Sequence, residues 1–480
     1  MLNRGGGLFA ERKATLNLLR KFPMPRITVL ALVACLLRQQ TQVFAQTGDP
    51  DPALPTSRPD RVILTWSDDP ATTQAVTWRT STAVTQGVAE ISPAEPGPGP
   101  EKTAIRLDAA MEVLETTSST AHCHSVTFTG LKPASRYTYR VGDGKTWSEW
   151  FQFRTATAEP APFSFIYFGD AQTDLRSQWS RVIRGAALEA PKAAFMLHAG
   201  DLINRAESDA EWAEWFAAGG WLNGMIPSIP VPGNHEQSPR DKDEPQLSRH
   251  WRRSFTLPEN GPENLQESCY TLVYQGVRIV ALNSNERPQE QAGWLDRVLG
   301  SNKENWVICC FHHPLFSTGA NRDNRALRET WKPILDKHRV DLVLQGHDHT
   351  YGRTGLETPV AAGTNTATGA GVRDAFTGTV YVVSVSGPKM YRLQKHPFMR
   401  RQAENTQLFQ IIHVNGNQLS FEAFTAAGEL YDAFTLTKQP GAVNLLEDRI
   451  PDTPERLRPP VNAEPAKKAS EALGEPGRNP

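Results

Sequence analysis

From residue 61 to 155 apolar and polar positions alternate with a period of two: Val62, Leu64 and Trp66, then Val76 and Trp78, then Tyr137, Tyr139 and Val141, then Trp150-Phe151 with Phe153. Short alternating strands, separated by turns such as 93–100 and 142–145, predict a small β-sandwich over 61–156. Its dense aromatics read most simply as core. Past the boundary at Glu159 to Pro162 the period changes. The apolar run 163–169 is followed by Leu175, Trp179, Val182, Ile183 and Ala186 on one helical face, then by a run at 193–199 and a helix around 207–218. Further strands are expected at 226–233, 270–274, 277–282, 305–311, 340–345 and 379–385, with a helix near 289–299. Runs at 408–414 and 418–424 bracket Asn415-Gly416, a hairpin signal, and 430–436 adds a strand. Alternating strands and helices therefore predict an α/β domain over 162–437 behind the sandwich.

Segments without a period lie between and around these. The polar insertion 236–268 carries Arg240, Arg249, His250, Arg252 and Arg253, and reads either as a solvated charged loop or as a substrate-facing lid. Residues 47–60 form a Pro- and Asp-rich linker, 357–376 is a Gly-, Ala- and Thr-rich loop, and 438–480 has the composition of a disordered tail. At the start, the apolar run 27–37 follows Arg20, Lys21 and Arg26 and precedes Val43-Phe44-Ala45. That is the layout of a secretory signal peptide over 1–46, and the run is too short for a membrane span. Met24 would begin a signal of more usual length. Leu32-Val33-Ala34-Cys35 resembles a lipobox, a reading ranked second because Leu36 and Leu37 carry the apolar run past the cysteine. Both readings expect a secreted or periplasmic protein.

The 480 residues exceed what one core usually organises, in keeping with two domains. Lys plus Arg (51) nearly cancels Asp plus Glu (52), which argues against a general attraction to nucleic acid or acidic membrane. Beyond the signal lie Cys123, Cys269, Cys309 and Cys310. Export permits disulfides, but neighbours in a strand point to opposite faces, so Cys309 and Cys310 are expected as buried thiols; a Cys123–Cys269 bridge stays open.

Candidate chemistry collects where strands end. The run from Val340 stops at Gly346 and then presents His347 and His349, two imidazoles at alternate positions that can face one cavity. Four other runs end likewise: at Asp170, Asp201, Asn234 and His312. In a sheet of strand-helix-strand units the strand carboxyl ends gather on one edge, so these residues would meet there. Each alone is ordinary turn chemistry; together they read as a metal site.

In order, Gly169-Asp170, Gly200-Asp201, Gly233-Asn234-His235-Glu236, His312-His313-Pro314 and Gly346-His347-Asp348-His349 resemble the five blocks of the calcineurin-like metallophosphoesterases. The sandwich, with Leu131-Lys132-Pro133 and Tyr139-Arg140-Val141-Gly142, looks like the fibronectin type III-like domain that precedes the catalytic domain of purple acid phosphatases. The resemblance implies a four-layer α/β/β/α phosphoesterase that attacks small phosphorylated substrates with a metal-bound hydroxide. It also implies two metal ions (Fe, Zn or Mn), Asp170 and His349 on the first, Asn234, His312 and His347 on the second, and Asp201 bridging. His235 would stabilise the transition state or protonate the leaving oxygen, with Asp201 the other catalytic residue. His313, Arg322 and Arg353 are candidates for contacting substrate. A phosphomonoesterase leads; a phosphodiesterase or nucleotidase, or a binding module with an inactive site, are the alternatives. Two departures stand out: Asn204 occupies the place of the family's iron-binding tyrosine, so no ferric-tyrosinate site is expected, and 317–325 lacks the histidine pair of the plant enzymes.

Overall fold

The computed structural model describes residues 54–238, 246–356, 378–439 and 441–458. The signal segment, the start of the linker, the 357–376 loop and the end of the tail lie outside them. The alternating N-terminal pattern folds as two four-stranded antiparallel sheets, one of Asp60–Thr65, Gln74–Ser81, Thr120–Phe128 and Ala110–Glu115, the other of Ile105–Asp108, Val88–Pro93, Arg136–Gly142 and Phe151–Arg154. Leu64, Val76, Trp78, Tyr139, Phe151 and Phe153 face inward between them.

The α/β domain contains two seven-stranded sheets. In the first, Phe163–Phe168, Met196–His198 and Ser228–Pro230 run parallel. In the second, Val277–Ala281, Trp306–Cys310, Leu342–Gln345 and Val380–Val383 run parallel. Side-chain alternation divides the second sheet between two cores: Ile308, Cys310, Leu342 and Leu344 pack with Phe165, Tyr167 and Ile411 of the first sheet. Val307, Cys309, Phe311 and Val343 pack instead with Leu295, Trp331 and Leu335 of the helices Pro288–Gly300 and Arg325–Lys337. Strands buried on both faces read as continuous apolar runs, and the layering is the expected α/β/β/α.

Two expectations change, and one open point closes. The insertion is not a lid where it is described: its helix Arg249–Ser254 buries His250, which stacks on Trp212 at 5.6 Å and lies 3.2 Å from Asp209. Arg249 and Arg253 donate to the carbonyls of Glu115 and Val113 on the sandwich (3.1 and 2.7 Å), and Asp209 pairs with Arg61 and Arg79 of the sandwich (2.7 and 3.1 Å). Arg249 and Arg253 thus brace the two domains, because each finds a partner on the sandwich. The tail carries structure where it is described: Leu445–Asp448 extends the first sheet beside Leu430–Thr437, and Arg401 donates to the Thr453 carbonyl at 2.8 Å. The four cysteines are buried free thiols, so Cys123 and Cys269 form no bridge. Among the described residues no helix is long and apolar enough to cross a membrane.

Candidate metal centre

The six motif residues leave the carboxyl ends of two sheets, not one. Asp170, Asp201 and Asn234 follow strands of the first sheet, while His312, His347 and His349 follow strands of the second. Asp201 (φ 52°), His347 (φ 76°) and His349 (φ 49°) adopt left-handed backbone. Such a conformation costs on the order of 1–3 kcal/mol for a residue with a side chain and persists where the surroundings fix it. The motif glycines make room: a Cβ on Gly346 would lie 2.2 Å from Asp170 Oδ1, and one on Gly233 2.2 Å from Asp201 Oδ1.

Two clusters result, Asp201 with His312 and His347, and Asp170 with Asp201 and His349, the donor atoms of each lying within 4.8 Å of one another. Asp201 belongs to both. His312 Nε2 is 3.3 Å from Asp201 Oδ1 and 3.1 Å from both Asn234 Oδ1 and His347 Nδ1, while His349 Nε2 is 3.1 Å from Asp170 Oδ2. The Nδ1 atoms of His312 and His349 donate to the carbonyls of Ala199 (2.8 Å) and Lys389 (2.7 Å). These bonds set the tautomer and turn each Nε2 lone pair toward the carboxylates, as in metal-binding histidines.

The electrostatics ask for cations. Burial, with Asp201 adding to it, pushes the Asp170 carboxyl above the usual range. Burial opposes charge on His312, yet the Asp201 carboxylate outweighs it and raises the imidazole to about 9. His349 is driven down to about 3 and His347 lower still, chiefly by burial, so both present neutral nitrogens. Buried carboxylates beside the neutral imidazoles of His347 and His349, with the Asn234 amide oxygen at the edge and a His312 imidazole that a cation would deprotonate, are a donor set that fits divalent N/O-binding ions.

His235 sits beside both clusters: its Nδ1 donates to the Asn204 carbonyl at 2.5 Å, and its Nε2 lies 3.9 Å from Asp201 Oδ2. His313 bonds Ser284 at 2.9 Å and packs 4.2 Å from the His347 ring, and burial lowers it to about 3. Arg322 contacts His347 Nε2 and is held by Asp348 at 3.0 Å. Arg353 does not join them. It is fully buried and bonds Asp432 (2.7 and 2.9 Å) and Asp448 (2.8 Å), because two carboxylates far along the chain claim its guanidinium. Asn234, His313 and Arg325 face a cavity of about 740 Å³ that also touches Gln237, Asn285 and Gln289.

Residues 163–351 match the family model of the calcineurin-like phosphoesterases, and 59–155 that of the purple acid phosphatase N-terminal domain. The chain belongs to the purple-acid-phosphatase-like metallophosphoesterases. An uncharacterized protein of Mycobacterium tuberculosis is 26% identical over 313 residues, which span 55% of this chain and 57% of that one. A probable purple acid phosphatase, number 20, of Arabidopsis thaliana is 28% identical over 237 residues, 46% of this chain and 53% of that one. The chain thus spans little more than half the length of these curated relatives. The purple acid phosphatase PPD1 from seeds of yellow lupin (Lupinus luteus) shares the fold, with a TM-score of 0.66 and 17% identity over 79% of this chain and 74% of that one. This family's fold implies a dinuclear metal centre.

Three site residues carried no role in the sequence reading. Glu236 accepts from the backbone N–H groups of Asp201 (2.9 Å), Leu202 (2.8 Å) and Gly233 (2.6 Å), tying the turns that hold Asp201 and Asn234. Asp348 accepts from the N–H groups of Thr318 (2.6 Å) and Gly319 (3.0 Å) while it holds Arg322. Gln172 donates to Asp201 Oδ2 at 2.5 Å. Glu236 and Asp348 lie inside the motif blocks, which was the available signal; Gln172, an amide two residues past Asp170, gave none.

Proposed function

We propose that the chain is a dimetal hydrolase of phosphate monoesters. The observation that carries this reading is the sharing of Asp201 between two adjoining donor clusters. Asp170 and His349 would hold one cation, Asn234, His312 and His347 the other, and Asp201 both. When bound, such a pair supplies Lewis-acid polarisation of the phosphoryl group and acidifies water. The rest falls to the chain's own groups. A carboxylate between two cations offsets their repulsion, and the left-handed turn at Asp201 holds it there. Arg322, anchored by Asp348, offers a guanidinium to phosphate oxygens beside the second cluster. His235, its Nδ1 fixed on the Asn204 carbonyl, keeps Nε2 for passing a proton to the leaving oxygen. The cavity beyond Asn234 and His313 would receive the alcohol part of the ester. Export through the apolar run 27–37 belongs to the same proposal, and would set the enzyme on substrates outside the cytoplasm.

The test is turnover of p-nitrophenyl phosphate and of its bis ester by protein loaded in turn with zinc, manganese and iron. The monoester should be preferred. Preference for the bis ester would move the assignment to a phosphodiesterase, and no turnover with any metal would favour the binding-module reading.

A further inference from the structure

We infer that Gln172 is a protein donor to the first cation, where Asn204 stands in the place of a tyrosine and supplies no phenolate. The inference rests on the two-cation reading above. Gln172 is fully buried, and its amide end lies 2.5 Å from Asp201 Oδ2 and 3.2 Å from His349 Nε2; His349 Nε2 in turn is 3.1 Å from Asp170 Oδ2. Donors that surround one small divalent ion at about 2.1 Å stand roughly 3 Å from their neighbours along the edges of an octahedron. His349 Nε2 has that spacing to both Asp170 and the Gln172 amide, and the Gln172–Asp201 contact is tighter.

The nitrogen of the amide is the end that faces the cluster, as suits a donor to a carboxylate. A half-turn about the last side-chain bond exchanges the two ends and presents Oε1, a hard neutral oxygen of the kind that binds divalent cations. The group that this turn displaces is Lys389, whose Nζ donates to Oε1 at 3.2 Å. Lys389 is only half-buried, and its ammonium is already 5.6 Å from the Tyr391 ring, which gives it another seat. The Asn204 backbone is already engaged: its carbonyl is taken by His235 Nδ1, and its N–H donates to Glu211 at 2.8 Å. The first cation then meets two carboxylates, one imidazole and one neutral amide. Without a phenolate's charge, that set favours a divalent over a trivalent ion.

The full chain is stripped with chelator, loaded with manganese(II) or cobalt(II), desalted and assayed for metal by elemental analysis, alongside Gln172→Leu and Gln172→His. The wild type should hold two ions per chain. Gln172→Leu should keep one and bind the second at least tenfold more weakly, while Gln172→His should restore the second and change the cobalt(II) visible spectrum through its added nitrogen. Matching melting curves of the metal-free proteins exclude a folding defect. If Gln172→Leu bound both ions within twofold of wild type, Gln172 would be only a hydrogen-bond donor to Asp201 and the inference would fall. Should Gln172→Leu not fold, an unchanged cobalt spectrum in a two-ion Gln172→His protein would overturn it equally. A wild type that held only one ion while hydrolysing the monoester would overturn this inference and the two-cation reading but leave the phosphatase activity standing.

Discussion

His198 should make this protein acid-sensitive, and the size of the effect follows from its surroundings. It lies on the strand that leads to Asp201, stacked 5.4 Å from Phe168 and edge-on to Trp215 at 5.5 Å, and neither ring nitrogen has a hydrogen-bond partner among the described residues. Burial alone drives its pKa down to about 3. The unfolded imidazole titrates near 6.5, so on acidification the unfolded chain takes up the proton first. Stability is therefore complete above that value and is lost as pH falls toward the folded pKa. Between about pH 7.5 and about pH 5 protonation of the unfolded imidazole shifts the folding equilibrium by roughly 1.5 log units, or about 2 kcal/mol. Phe at 198 keeps the ring stack and removes the proton. Urea denaturation of wild type and His198→Phe at both pH values gives a double difference from which all other titrating groups cancel. That difference should be about 2 kcal/mol in favour of the variant at the lower pH; a value below about 0.5 kcal/mol would mean that the imidazole is hydrated or paired, and the reasoning would fail.

Two further outcomes concern the site. Asp201→Asn should lose far more activity than His235→Ala and should fail to retain two metals, because it removes the carboxylate common to both clusters, whereas loss of a proton donor costs about 10² to 10⁴ in rate; metal analysis with turnover decides it. Iron-loaded protein should be colourless or pale, since Asn204 supplies no phenolate and the Tyr351 hydroxyl is committed to Asp432 at 2.7 Å. Tyr391, whose ring lies 4.4 Å from His349, is the tyrosine to suspect if a strong green-to-yellow band appears, and Tyr391→Phe would then abolish it.

The fold and most of the donor residues that meet at the site were legible for one reason: a strand buried on both faces reads as an unbroken apolar run, and the glycine that ends it marks where a donor follows. Asp170, Asp201, Asn234 and His347 all carry that local signal, whereas His312 follows Phe311 with no glycine between. What the sequence hid depends on partners far along the chain. Arg353, four positions past His349, resembled a phosphate contact until Asp432 and Asp448 claimed it. The Arg-rich insertion looked solvated or mobile, yet Asp209 and the edge of the sandwich hold it. Composition misled on the tail in the same way, for the strand Leu445–Asp448 is half charged and gains its order from Leu430–Thr437.

Asp201 is the point where these long-range ties converge. Its N–H is held by Glu236, its Oδ1 accepts from the His235 N–H at 3.0 Å, and its Oδ2 accepts from Gln172. The residue is thus fixed by three side chains or peptides that also position Asn234, His235 and the first cluster. A small rotation at the left-handed turn would therefore shift both donor clusters and His235 together, not one alone. That coupling accounts for a strained backbone at this residue: a relaxed turn would leave the shared carboxylate free to favour one cluster, and the spacing between the two would no longer be set by the protein.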